Sequence, residues 1–221
     1  RNLTTAEMLD QVYSIQRILG ERVSNIVVMG SGEPLDNYDN IVKFVRIISS
    51  DMGLNISQRN ITVSTCGIVP GIRQLADENL GITLALSLHA PNDEIRKSIM
   101  PVANKYPLKD VIAACDYYFK KTGRRVSYEY SLVAGINDNI DEAKKLVKLI
   151  NGRNIHVNLI PVNPISERDY KQSSKFKINE FKQFLEKRGI NATVRREMGR
   201  DIEGACGQLR RSFVTSSENN I

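Results

Sequence analysis

The chain of 221 residues carries 31 lysines and arginines against 25 aspartates and glutamates, is 41% hydrophobic and 25% charged, and has no tryptophan. Those ordinary fractions exclude a disordered chain, no apolar run approaches the roughly 18 residues of a membrane span, and the length fits one large domain better than two small ones. The net charge of +6 suits a polyanionic partner such as nucleic acid, and equally an inert basic surface.

Apolar residues at helical spacing predict a first helix over Thr4–Leu19, with Thr4 or Thr5 as its cap and Glu7 in the first turn. The continuous run Asn25–Met29 closed by Gly30 reads as a strand buried on both faces. A helix over Asp39–Ser50 and a strand over Ile61–Ser64 follow, then helix Gly71–Glu78, strand Ile82–Leu88, and helices Asp93–Met100 and Leu108–Lys121. The last part alternates strand Val126–Leu132, helix Asp141–Ile150, strand His156–Val162, helix Ile178–Arg188 and strand Ala192–Arg195. Six strands separated by helices predict right-handed crossovers and an α/β fold with a largely parallel sheet. No glycine-rich dinucleotide fingerprint follows the first strand, and polar residues gather at successive strand ends, which favours a partial (β/α)6 barrel over an open doubly wound sheet. The expected barrel covers 1–215, with a polar, disordered tail over 216–221.

In such a fold ligands bind at the carboxyl ends of strands. The first end, Gly30-Ser31-Gly32-Glu33-Pro34-Leu35, offers glycines that let backbone approach a ligand and a carboxylate for an ammonium group, though a plain turn with a solvated glutamate has the same sequence. Ser64, Ser87 and Asn163 can hydrogen-bond a carboxylate, a ribose or an adenine edge, or simply satisfy their own turns. His89 at a strand end is a ligand contact or a structural histidine, while His156, at the start of a strand, is structural. Cys66, Cys115 and Cys206 are too far apart for a disulfide framework or a close-spaced metal motif, which points to a reducing cytosol. Cys115 reads as a core residue; Cys206 sits between small residues after a basic strand, where positive charge favours thiolate. Arg195, Arg196, Arg200, Arg210 and Arg211 with Lys171, Lys175 and Lys177 concentrate positive charge in the last quarter of the chain, as phosphate contacts require.

Four segments in this order, Gly30–Leu35, Ser87-Leu88-His89-Ala90-Pro91-Asn92-Asp93-Glu94, Asn158-Leu159-Ile160-Pro161-Val162-Asn163-Pro164 and Ala205-Cys206-Gly207-Gln208-Leu209, resemble the radical S-adenosylmethionine methyltransferases that methylate carbon 2 of adenosine in ribosomal and transfer RNA. The likeness runs from about Leu3 to Phe213. It implies S-adenosylmethionine as cofactor, its amine held at Gly32 and Glu33 and the rest lined by Ser64, Ser87, Leu88, His89 and Asn163. It also implies that Cys206 carries a methyl group from one cofactor molecule, from which a radical generated by a second removes hydrogen before addition to the adenine ring.

The family's Cys-x-x-x-Cys-x-x-Cys segment for a four-iron four-sulfur cluster, its second catalytic cysteine and its acidic base fall upstream of the position matching Arg1. The chain is therefore expected to be the C-terminal part of such an enzyme, lacking the first strand and cluster loop, with no metal ligands of its own and no activity alone. Implied partners are 23S rRNA and tRNA with a flavodoxin or ferredoxin as electron donor, in the cytoplasm and with no membrane. Pro34 and Pro161 favour carbon 2 over the sister group that methylates carbon 8 of the same adenosine and confers antibiotic resistance, and a non-catalytic RNA- or ligand-binding domain is the alternative from another class.

Overall fold

The structure is a computed structural model that describes residues 1–163 and 170–195; Cys206, the arginines at 196, 200, 210 and 211, and the 216–221 tail lie outside the described residues. In chain order the elements are α1 (Thr5–Leu19), β1 (Ile26–Val28), α2 (Tyr38–Ser49), β2 (Ile61–Thr65), α3 (Val69–Asp77), β3 (Thr83–Ser87), α4 (Asp93–Ile99), α5 (Leu108–Thr122), β4 (Val126–Leu132), α6 (Ile140–Ile150), β5 (Ile155–Pro161), α7 (Lys175–Glu186) and β6 (Ala192–Val194). The strands form one parallel sheet in the order of the chain, β1 to β6. Parallel neighbours need crossovers, and helices supply them, so the alternation read from the sequence is the fold.

Helix boundaries follow local chemistry. Thr4 and Glu7 close a reciprocal capping box on α1, and Gly20 ends it at φ +68°. Asn92, Asn139 and Ser174 cap α4, α6 and α7 with their side chains. The Ser174 cap starts α7 three residues before the expected Ile178, because Lys175-Phe176-Lys177 supplies a first turn with no apolar face to signal it. Three short 3-10 turns, Pro34–Asn37, Gln58–Asn60 and Pro101–Asn104, were not expected either.

By contacts the chain divides into two compact units. The first comprises Arg1–Met29, Glu33–Leu86 and Lys109–Val126. Its core is built from Val45, Ile48, Ile61, Val63, Ile72, Leu84, Val111 and Tyr118, all fully buried, and the Tyr118 hydroxyl donates to the Ile82 carbonyl at 2.9 Å. Cys115 lies in this core, as expected. β1 departs from expectation: Val27 is 58% exposed, so the strand is not buried on both faces. β1 ends the strand order and pairs with β2 alone, in the register Ile26–Ile61 to Val28–Val63, so neighbours cover it incompletely.

The second unit comprises Gly30–Gly32, Ser87–Leu108 and the chain from Ser127 onward. Here β4 alternates: Tyr128, Tyr130 and Leu132 are fully buried, with Tyr130 against Phe181 of α7 at a ring separation of 5.4 Å. Ser127, Glu129 and Ser131 occupy the opposite face. On β5, Val157 and Leu159 are buried in the same sense, leaving His156 and Asn158 on the face turned away from the apolar core. Among the described residues, no helix is long and apolar enough to cross a membrane.

Candidate active site

In the first unit, the chain leaves β1 through a turn that Glu33 organises. Its carboxylate accepts the Leu35 N–H at 2.9 Å, capping the Pro34–Asn37 turn, and the Cys66 N–H at 2.7 Å, tying this turn to the end of β2. Glu33 is thus held by a hydrogen bond at each oxygen. A carboxylate has about four acceptor directions, so two remain for a cationic ligand. Gly32, just before it, has φ +119°, a conformation that side chains resist, and an added Cβ would meet nothing within 4 Å. Ser64, on β2, is 6% exposed and its hydroxyl makes no hydrogen bond among the described residues. The turn beyond β2 closes through Thr65, whose hydroxyl accepts the Gly67 N–H at 3.0 Å. Cys66 contributes its backbone N–H to Glu33.

In the second unit, Ser87, Leu88 and His89 form an overdetermined corner. The Leu88 and His89 N–H groups both donate to the Glu129 carbonyl, at 3.0 and 3.1 Å, and the Ala90 N–H turns back to the Leu88 carbonyl at 2.8 Å. With His89 at φ +55°, this is a γ-turn of the rare hand, strained for any residue with a Cβ. Buried neighbours hold it. Arg96, fully buried, donates from Nε to the Leu88 carbonyl at 3.2 Å and from Nη2 to the Ser87 carbonyl at 3.4 Å. Asn137, also fully buried, donates to the carbonyls of His89 at 2.8 Å and Ser131 at 2.7 Å and accepts the Val133 N–H at 2.8 Å.

The ring of His89 is oriented the same way. The Ser131 N–H lies 3.0 Å from Nδ1, and a backbone N–H can only donate. Nδ1 is therefore the bare nitrogen, and neutral His89 carries its proton on Nε2. Burial, then the charge of Arg96, push the His89 pKa down to about 4. At neutral pH it is an uncharged donor with one fixed tautomer. Asn163, half-buried beyond β5, makes no hydrogen bond among the described residues.

The sequence reading missed a row of polar side chains across β4, β5 and β6. The Asn158 amide donates to Glu129 Oε1 at 2.8 Å and accepts at Oδ1 from the Thr193 hydroxyl at 2.7 Å, with His156 Nε2 at 2.9 Å from both. Glu129 is 6% exposed; burial pushes its pKa up, against the Asn158 hydrogen bond and the charge of Arg195. The strict alternation Val126-Ser127-Tyr128-Glu129-Tyr130-Ser131-Leu132 was the available signal, since it marks a strand with one polar face. Among the described residues no group of His, Cys, Asp and Glu side chains could hold a metal ion.

A family model described as the radical SAM superfamily matches residues 2–150. A protein of Lachnoclostridium phytofermentans named "Probable dual-specificity RNA methyltransferase RlmN" is 70% identical over 97% of this chain and 60% of its own length. A relative of the same name from Lachnospira eligens is 63% identical over 97% of this chain and 61% of its own. The crystal structure of a radical SAM methyltransferase from Sphaerobacter thermophilus superposes with a TM-score of 0.90 at 47% identity, covering 94% of this chain and 62% of that one. The chain thus spans about 60% of the length of the curated relatives it matches.

Proposed function

From the premise that this chain belongs to the radical SAM superfamily, we propose that it serves an RNA methyltransferase that modifies carbon 2 of an adenosine in large-subunit rRNA and in tRNA. The observation that carries the reading is the 70% identity to a protein named for RNA methylation, sustained over 97% of the chain. The strand ends support the cofactor part. Glu33 keeps free acceptor directions for the amine of S-adenosylmethionine, Gly32 leaves the space beside it open, and Ser64 offers an unengaged hydroxyl. In the second unit His89 offers Nε2–H, and Ser87, Leu88 and Asn163 are assigned to the cofactor on the family resemblance alone. When bound, S-adenosylmethionine supplies the methyl group and the radical chemistry that adenine carbon 2, which is not acidic, requires. The described residues do not fit an iron–sulfur cluster, and no step is assigned to one here.

Cys206 is proposed as the residue that carries the methyl group, and the cytosol as the compartment. In this role the thiolate must be favoured by nearby positive charge, which the arginines at 195, 196 and 200 provide in sequence. The test is anaerobic incubation of protein-free large-subunit rRNA with a chain extended to the relatives' full length, reconstituted with its cluster, plus S-adenosylmethionine and reductant. Nucleoside mass spectrometry should find 2-methyladenosine; 8-methyladenosine would assign the chain to the resistance group, and neither product would leave a binding module. In the same assay Cys206→Ala should abolish product while cofactor affinity stays nearly unchanged. Full methylation by that variant would remove Cys206 from the mechanism.

A further inference from the structure

The row of side chains across β4, β5 and β6 lies outside the set of residues proposed above for the cofactor, and its members fix one another's orientation. Asn158 Oδ1 accepts from the Thr193 hydroxyl at 2.7 Å and lies 2.9 Å from His156 Nε2, while its Nδ2 faces the Glu129 carboxylate, an acceptor that would meet the amide oxygen if the amide were turned over. The amide is therefore locked with its oxygen toward β6 and its nitrogen toward β4. One amide hydrogen goes to Glu129 Oε1 at 2.8 Å, and the other has no acceptor among the described residues. Glu129 is 6% exposed, and its second oxygen makes no hydrogen bond among the described residues. A fixed donor thus adjoins a fixed acceptor on a polar sheet face, and both are left over once the hydrogen bonds among the described residues are counted.

We propose that Asn158 and Glu129 bind the adenine base of the RNA substrate, the Asn158 N–H donating to a ring nitrogen and the free Glu129 oxygen accepting from the exocyclic amino group. This rests on the RNA adenosine reading given above. Adenine presents an amino donor next to a ring-nitrogen acceptor, the complement of this pair, whereas guanine and uracil present an acceptor next to an N–H. Thr193 and His156 are positioning residues: they touch the amide oxygen and fix which way the base is read. No covalent step is assigned to the row.

The experiment compares two RNA oligonucleotides, with adenosine or with purine riboside at the target position, as substrates of the full-length, cluster-loaded protein. Purine riboside lacks the amino group that Glu129 would bind. The unmutated protein should methylate it with kcat/KM lower by about tenfold or more. Glu129→Gln, which keeps the side chain's size and replaces the acceptor by an amide, should lose about tenfold on the adenosine RNA and change little on the purine RNA, so the discrimination collapses. Equal methylation of both RNAs by the unmutated protein would overturn the proposal without any variant having to fold. An equal loss on both RNAs in Glu129→Gln would also overturn it, since that is the mark of a purely structural glutamate. If the unmutated protein yields no methylated nucleoside from either RNA, neither 2-methyladenosine nor 2-methylpurine riboside, the methyltransferase reading itself falls and this inference with it.

Discussion

The residues with most hydrogen bonds to the candidate site are ones whose type conceals their role. Arg96 on α4 and Asn137 in the loop after β4 are not among the residues that the sequence singles out, yet both are fully buried and hold the strained corner at His89. Sequence could place His89 at a strand end, but not its φ of +55° or its tautomer, because those depend on partners at Glu129, Ser131 and Asn137, all at least 40 residues away. A measurable consequence follows from the histidine. Its pKa falls from 6.5 in the unfolded chain to about 4 in the fold, so between these values the unfolded state binds more protons. The stability it contributes is complete above pH 6.5 and is lost as the pH falls toward 4. Urea unfolding at pH 7 and pH 5 should therefore show a larger loss for the natural chain than for His89→Asn, which removes the titrating ring. Equal losses would show that His89 is freely protonated.

At the scale of elements, type and order were legible and the connections were not. Every helix and strand expected from periodicity is present, with β4 matching at both ends. What escaped notice were pieces too short to show a period, above all the Pro34–Asn37 turn that Glu33 caps. That turn packs against α3: a Cβ added at Gly71 would lie 3.0 Å from Leu35 Cβ and 3.1 Å from its Cδ1. Leu35 is buried and its Cβ is held by the turn's own backbone, so it cannot yield without moving Glu33. Gly71→Ala should gain about 1 kcal/mol of helix propensity and lose more to overpacking, at about 1 to 3 kcal/mol. A net loss near 1 kcal/mol is expected by thermal unfolding, with weaker S-adenosylmethionine binding by calorimetry; a stabilised variant with unchanged affinity would show that turn and helix are not coupled.

For the whole molecule, the net charge of +6 would steer a polyanion such as the proposed RNA toward its basic face. Lys171 and Lys175 are exposed, whereas Lys177 is 3.4 Å from buried Asp138, so the first two are the freer phosphate contacts. Replacing both by alanine in the full-length protein should weaken RNA binding alike for all sequences and lower the slope of log affinity against log salt by up to about 2. An unchanged slope would place the RNA on another surface. The strand order also bears on how the chain is made. Each strand joins the one synthesised before it, so the sheet can grow one crossover at a time as the chain emerges. The first compact unit nonetheless lacks α5 until residues past Lys109 have appeared, by which time Ser87–Leu108, belonging to the second, is already out. During synthesis, the His89 corner must therefore wait unformed for β4, a window in which Leu88 and Ala90, buried in the finished fold, stand open to chaperones.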